Sequence, residues 1–114
     1  MEQKTDHTQE MLTQLQHVEQ NLQNLLLQKQ NIQSQLGETE SAIEELKKEP
    51  KKIFKIIGSI MIESTIKEIE EDLNSKKEIM ELKIQNIEKQ ENRLKEKFKS
   101  LQEEILKVMG KNDG

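Results

Sequence analysis

The side chains that most often carry chemistry in proteins are few and scattered in this chain. Its two histidines, His7 and His17, lie ten positions apart and fall on different faces of any helix, and Glu10 is the one acidic residue about a turn away from His7. These groups are too few for a metal site, which needs several converging ligands. The absence of cysteine also excludes a thiolate nucleophile, a disulfide framework and a cysteine-based zinc site.

Charged side chains are abundant but do not form a catalytic pair. The 22 acidic and 18 basic residues are spread along the chain, and carboxylates on solvated helices lack the desolvation that general acids and bases need. The basic stretch KKEPKK (residues 47–52) could bind phosphate, but it lacks aromatic residues and a Gly-rich loop. A net charge of −4 argues against nucleic acid as a partner. We therefore predict that the chain is not an enzyme and needs no cofactor or metal.

The composition favours long helices over a thick globular core. Of 114 residues, 32% are hydrophobic, 2% aromatic and 35% charged, which suits one domain rich in Leu, Ile, Glu, Lys and Gln, as in coiled coils. The N-terminal segment lacks the apolar core of a signal peptide. No stretch approaches the roughly twenty apolar residues of a transmembrane helix. We therefore expect a soluble, cytoplasmic protein.

Two segments of similar length repeat apolar residues with heptad spacing. The first, about residues 8–49, is expected to end before Pro50, which lacks a backbone donor and disfavours helix at the preceding residue. The second, about residues 65–109, opens with Thr65 and Glu68 at the spacing of a capping box. Gly110 is expected to end it, which would leave residues 110–114 as a short flexible C-terminus.

The position numbers of the apolar residues indicate that the two helices pair within one chain. In an antiparallel pair of helices, the position numbers of two facing residues add up to a constant. A sum of 116 fits most of the stripe of apolar residues along the two helices, which we call the seam. Facing pairs at this sum include Leu15 with Leu101, Leu22 with Leu94, and Ile32 with Ile84. A shift by a whole heptad would also match, but the helix ends favour 116. Lys29 and Glu91 then face apolar residues, and a lysine there can extend its ammonium into water.

Residues 52–63 interrupt the helical pattern. Apolar residues crowd around Gly58 and Ser59, which suits two strands joined by a two-residue turn with a positive φ at glycine. One face would carry Ile53, Ile57, Ile60 and Ile62, and the other Phe54, Ile56 and Met61. Because an isolated hairpin is marginally stable in water, we expect other subunits to cover it. The alternatives are a continuous helix, disfavoured by Gly58, and a re-entrant membrane loop, for which the segment is short.

Apolar residues near both ends of the chain form a second candidate surface. Three of them, Leu12, Leu106 and Met109, lie off the seam. They could be stray apolar residues at a coil end, or a soft patch that adapts to varied partners with the help of flexible methionine. The complete set is Met11, Leu12, Leu15, Leu101, Ile105, Leu106, Val108 and Met109.

The order helix, single β-hairpin, helix resembles the β-class subunits of the prefoldin family. LGETESAIEEL (residues 36–46) is similar to that family's end of the first helix. IFKIIGSIMIE (residues 53–63) resembles its aromatic-Lys-x-x-Gly hairpin, with Phe54 where tyrosine is common. IEKQENRLKEKFKSLQ (residues 87–102) resembles its second helix. We therefore predict a mainly α fold, in which one β-hairpin separates the helices of an antiparallel coiled coil within a single domain, residues 1–114.

The resemblance also implies a function. Prefoldin is a hetero-hexameric, ATP-independent chaperone of α-class and β-class subunits that join through their hairpins. Its coiled-coil tips hold non-native polypeptides and deliver them to a group II chaperonin. This implies that the hairpin residues serve assembly and that the terminal apolar residues bind clients. The alternative is a structural coiled-coil adaptor that binds one fixed protein partner.

Overall fold

Two long helices flank a single β-hairpin in the sequence of elements. The computed structural model describes residues 2–113, with side chains from His7 to Gly110. Helix α1 spans Glu2–Leu46, strand β1 spans Ile53–Ile57, strand β2 spans Ile60–Ser64, and helix α2 spans Ile66–Asp113. This order confirms the predicted α-β-β-α fold class.

Helix α1 ends three residues earlier than predicted. The amides of Lys47, Lys48 and Glu49 donate to carbonyls three residues back, at 3.1–3.2 Å, which tightens the last turn. Glu49 then takes a φ of 53°, in the left-handed region that side chains disfavour. The helix therefore stops before the position where Pro50 would have ended it. At its other end, α1 begins at Glu2, well before the predicted residue 8.

Helix α2 has one of the two bonds of a capping box. The Glu68 amide donates to Thr65 Oγ1 at 3.2 Å, so Thr65 is the N-cap, while the Glu68 carboxylate bonds elsewhere. The predicted end at Gly110 is corrected, because the helix continues to Asp113. Among the described glycines, Gly58 has a positive φ and Gly110 does not. A glycine in helical conformation costs about 1 kcal/mol without breaking the helix. Residues 110–113 are therefore helical, and Gly114 lies outside the described residues.

The hairpin has the predicted two-residue turn. Gly58 has a φ of 60°, and a glycine with positive φ at the first turn position is typical of a type II′ turn. The two antiparallel strands pair Ile57 with Ile60, Ile56 with Met61, Lys55 with Ile62, Phe54 with Glu63, and Ile53 with Ser64. A helix through this segment is thereby excluded.

The chain divides into two compact units, and the first contains the residues up to Lys29 together with those from Asn86 onward. Its buried centre is formed by Met11, Val18, Leu101 and Ile105, against which Leu15, Leu22, Leu94, Phe98 and Val108 pack. Early residues of α1 thus contact late residues of α2, so the helices are antiparallel in this unit. The assignment of all 114 residues to one domain stays a prediction.

An ion pair lies within the first unit at the predicted polar interruptions of the seam. Lys29 Nζ is 2.7 Å from Glu91 Oε1, and Glu91 is only 6% exposed. The lysine ammonium was expected to reach water, but it turns to the carboxylate instead. The two charged residues that interrupt the apolar seam in this unit therefore form one ion pair.

The second unit comprises residues 30–85 and includes the hairpin. Met80 is buried here. Gln35 and Thr39 of α1 line the same shallow hollow as Lys76 and Met80 of α2, so the helices also lie side by side in this unit. Half-buried seam residues complete the contact: Ile32, Leu36, Ile43, Leu73 and Ile84.

Candidate assembly and client-contact surfaces

The hairpin carries a concentrated set of exposed apolar side chains. Six of them are between 44% and 71% exposed: Phe54, Ile56, Ile57, Ile60, Met61 and Ile62. With half-buried Ile53 and the turn residue Gly58, they form what we call the hairpin surface. A contiguous patch of exposed large apolar residues often marks an interaction site.

The strand register divides the hairpin surface into two faces, as predicted. Directly opposed residues share a face, so Ile57 lies beside Ile60 on one side and Ile56 beside Met61 on the other. Both faces are therefore apolar, and each strand also has one unpaired edge within the described chain. Such a hairpin is stabilised when another surface covers it, since burying one large aliphatic side chain contributes about 1.5–3 kcal/mol.

Polar contacts join both strands of the hairpin to helix α2. Lys55 Nζ lies 2.8 Å from Glu68 Oε1 and 3.9 Å from Asp72 Oδ2. Ser64 Oγ donates to Glu68 Oε2 at 2.9 Å. The hydrogen bond from Lys55, followed by that from Ser64, lowers the pKa of Glu68. The same bond to Glu68 raises the pKa of Lys55, with a smaller contribution from Asp72.

The second predicted surface divides into a buried and an exposed set. Met11, Leu101 and Ile105 are buried, and Leu15 and Val108 pack against them. The other three residues, which we call the tip surface, are exposed: Leu12 is 45%, Leu106 68% and Met109 53% exposed. The structure thus brings the five seam residues together in and around a core, and the tip surface is the exposed part of the predicted set.

Four exposed apolar residues were missed by the sequence analysis. Leu26 and Leu27 are 43% and 64% exposed on α1, and Ile79 and Leu82 are 53% and 59% exposed on α2. Their signal was present, because apolar residues outside the heptad seam have no partner in a two-helix coil. Their exposure is similar to that of the predicted sites, which makes them suitable control positions.

Among the described residues, no cluster of His, Cys, Asp or Glu has the three members that a metal ion would need. No described helix combines the length and the apolar character needed to cross a membrane.

Known proteins are similar to this chain in both sequence and fold. A family model described as prefoldin subunit matches residues 9–112. The prefoldin subunit beta of Caldivirga maquilingensis is 33% identical over 105 residues, covering 90% of this chain and 87% of the relative. That of Methanosarcina acetivorans is 35% identical over 104 residues, covering 90% and 89%. The crystal structure of the prefoldin beta subunit from Thermococcus strain KS-1 matches with a TM-score of 0.84 and 32% identity, covering 90% of this chain and 91% of that chain.

The chain belongs to the prefoldin subunit family, whose members are non-enzymatic chaperone subunits that form oligomeric complexes with one another. Its place is with the β subunits, because the relatives named above are all β subunits. The single hairpin between two helices agrees with that class. The resemblance inferred from the order of elements and from three stretches of the sequence is thus confirmed.

Proposed function

We propose that this chain is one subunit of a hetero-hexameric, ATP-independent chaperone, joined through the hairpin surface to an α-class companion and to further β-class copies. The observation that carries this proposal is the exposure of six large apolar side chains on both faces of one hairpin. Helix α2 contacts the hairpin through Lys55 and Ser64, and these contacts leave the six apolar side chains exposed. Neighbouring subunits would bury them.

The proposed complex holds non-native polypeptides at the tip surface and delivers them to a group II chaperonin in the cytoplasm. Leu12, Leu106 and Met109 are exposed beside a buried core that supports them. Methionine adapts to varied partners because its side chain is unbranched and flexible. Each contact is weak, but several subunits acting together on one client gain through effective concentration.

Assembly is tested by changing the opposed pair Ile57→Asp and Ile60→Asp. Two carboxylates would then face each other in a surface that must be buried, at a cost of several kcal/mol. Light scattering should report an oligomer for the parent and separated subunits for the variant, with unchanged helicity by circular dichroism. The matched control is Ile79→Asp with Leu82→Asp, which changes two residues of similar exposure on α2. An intact oligomer for the hairpin variant would contradict assembly through the hairpin.

Client holding is tested by the aggregation of several unrelated denatured proteins with and without the assembled complex. A chaperone should suppress the aggregation of most of them without ATP. A structural adaptor with one fixed partner would protect none, and that result would favour the adaptor over the chaperone.

A further inference from the structure

Glu68 departs from the role that its position in the sequence predicts. In a capping box, the glutamate side chain reaches back to the backbone amide of the N-cap residue, here Thr65. Thr65 does cap the helix through the Glu68 amide, but the Glu68 carboxylate bonds to Lys55 and Ser64. The side chain therefore serves a contact outside its own helix.

The two oxygens of this carboxylate bind different strands. Oε1 accepts from Lys55 of β1 at 2.8 Å, and Oε2 accepts from Ser64 of β2 at 2.9 Å. Lys55 and Ser64 lie on the same face of the hairpin, because Lys55 is opposite Ile62 and Ser64 is two residues further along β2. One side chain from the first turn of α2 thus binds both strands, at the middle of β1 and at the end of β2.

An exposed hairpin gains stability from such a tie before it meets its partners. A two-stranded hairpin is marginally stable alone, and the apolar residues of this one are exposed in the isolated chain. Holding a binding segment in its bound conformation lowers the ordering cost of association. The lowered pKa of Glu68 agrees with a carboxylate held in its charged form by these donors.

We propose that Glu68 is a positioning residue that ties both strands of the hairpin to helix α2 and so keeps the hairpin surface ordered in the unassembled subunit. Lys55 and Ser64 are its two anchors. The consequence for assembly rests on the proposed function of the hairpin surface, whereas the ordering of the hairpin can be measured without any partner.

The direct experiment is hydrogen exchange of the full chain, diluted until light scattering reports single subunits. Glu68→Ala removes both anchors but keeps the Thr65 cap, which uses the Glu68 backbone. Amide protection across β1 and β2 should fall roughly tenfold, as expected for the loss of an exposed ion pair together with a hydrogen bond. Protection in the middle of α2 should stay unchanged. The matched control is Glu71→Ala, another exposed acidic residue in the same part of α2.

A double-mutant cycle tests whether Lys55 acts through Glu68. Lys55→Met alone should lower hairpin protection by about threefold, within the range for one exposed ion pair. In the Glu68→Ala background the same change should have less than half of that effect, because the main partner is already gone. Lys51→Met, in the segment before β1, is the control. Equal hairpin protection in the parent and Glu68→Ala would overturn the proposal, as would a full effect of Lys55→Met in both backgrounds.

Assembly provides a second readout. Glu68→Ala should raise the concentration at which the complex dissociates by no more, per hairpin, than the factor by which it lowers hairpin protection, since the apparent affinity scales with the ordered fraction of the hairpin. If Ile57→Asp with Ile60→Asp separates the subunits but Glu68→Ala leaves both dissociation and hairpin protection unchanged, the tie is refuted and the proposed function stands. If the aspartate variant stays assembled while Glu68→Ala lowers hairpin protection, assembly through the hairpin fails and the tie stands.

Discussion

The ion pair between Lys29 and Glu91 should respond unequally to the loss of either partner. The side chain of Glu91 is 8% exposed and that of Lys29 is 20% exposed, with 2.7 Å between the charged atoms. Lys29→Met leaves the carboxylate buried without its cation, which should destabilise the chain by about 3 kcal/mol. Glu91→Leu leaves an ammonium on a flexible stem that can turn to water, so the cost should be about 1 kcal/mol or less.

The double variant Lys29→Met with Glu91→Leu should be within about 1 kcal/mol of the parent, because replacing a buried pair by apolar residues is often neutral or stabilising. With the double variant near the parent, the three values give a coupling energy of roughly 3–4 kcal/mol. For a chain of this size, each kcal/mol of lost stability should lower Tm by about 4 °C, so the two single variants should also differ in Tm.

The assay is urea unfolding followed by far-UV circular dichroism. It should use the Ile57→Asp with Ile60→Asp background, since assembly would otherwise add to the apparent stability. Lys89→Met and Glu88→Leu change exposed residues of α2 and should stay within about 0.5 kcal/mol of the parent. Equal costs for the two single variants, or a Lys29→Met cost no larger than that of Lys89→Met, would refute the argument from burial.

Three further predictions follow from the helix ends, the helix pairing and the contacts of Glu68. Glu49→Gly should raise the free energy of unfolding by up to about 1 kcal/mol in urea, because glycine accepts the positive φ of this position; a loss of stability would contradict the strain. Leu22→Cys with Leu94→Cys should crosslink within one chain under mild oxidation, since both residues pack on the same core; a dimer band without an intrachain product would contradict it. Glu68 should contribute to hairpin protection at pH values above its ordinary pKa of 4.5, and this contribution should be lost as the pH falls through the lowered pKa of Glu68 in the folded chain. Lys55→Met should weaken this pH dependence, and an unchanged pH profile would contradict the pairing.

Local sequence signals predicted the fold well where a single residue type decides the conformation. Gly58 marked the turn, and the change from a heptad pattern to crowded apolar residues marked the strands on either side. The early start of α1 was missed because residues 2–7 contain no apolar residue to reveal a helical period. The extension past Gly110 was missed because glycine permits a helix end without requiring one.

The polar contacts could not be predicted from spacing alone. The constant sum of 116 placed Lys29 and Glu91 each opposite an apolar residue, whereas their long side chains meet across neighbouring layers of the coiled coil. Glu68 matched a capping box in sequence, but the hairpin brings Lys55, thirteen residues away, to its carboxylate. The candidate client residues were chosen mainly from the seam, and seam residues such as Met11 are the ones that a two-helix coil buries.

The most direct test of the central claim compares two triple variants of the assembled complex in the aggregation assay. Leu12→Ser with Leu106→Ser and Met109→Ser removes the tip surface, whereas Leu27→Ser with Ile79→Ser and Leu82→Ser removes three apolar residues of similar exposure elsewhere on the helices. Both complexes should keep their oligomeric state by light scattering. The tip variant should lose most of its suppression of aggregation for several unrelated clients, and the second variant should retain it. Equal protection by the two variants would contradict client holding at the tip surface.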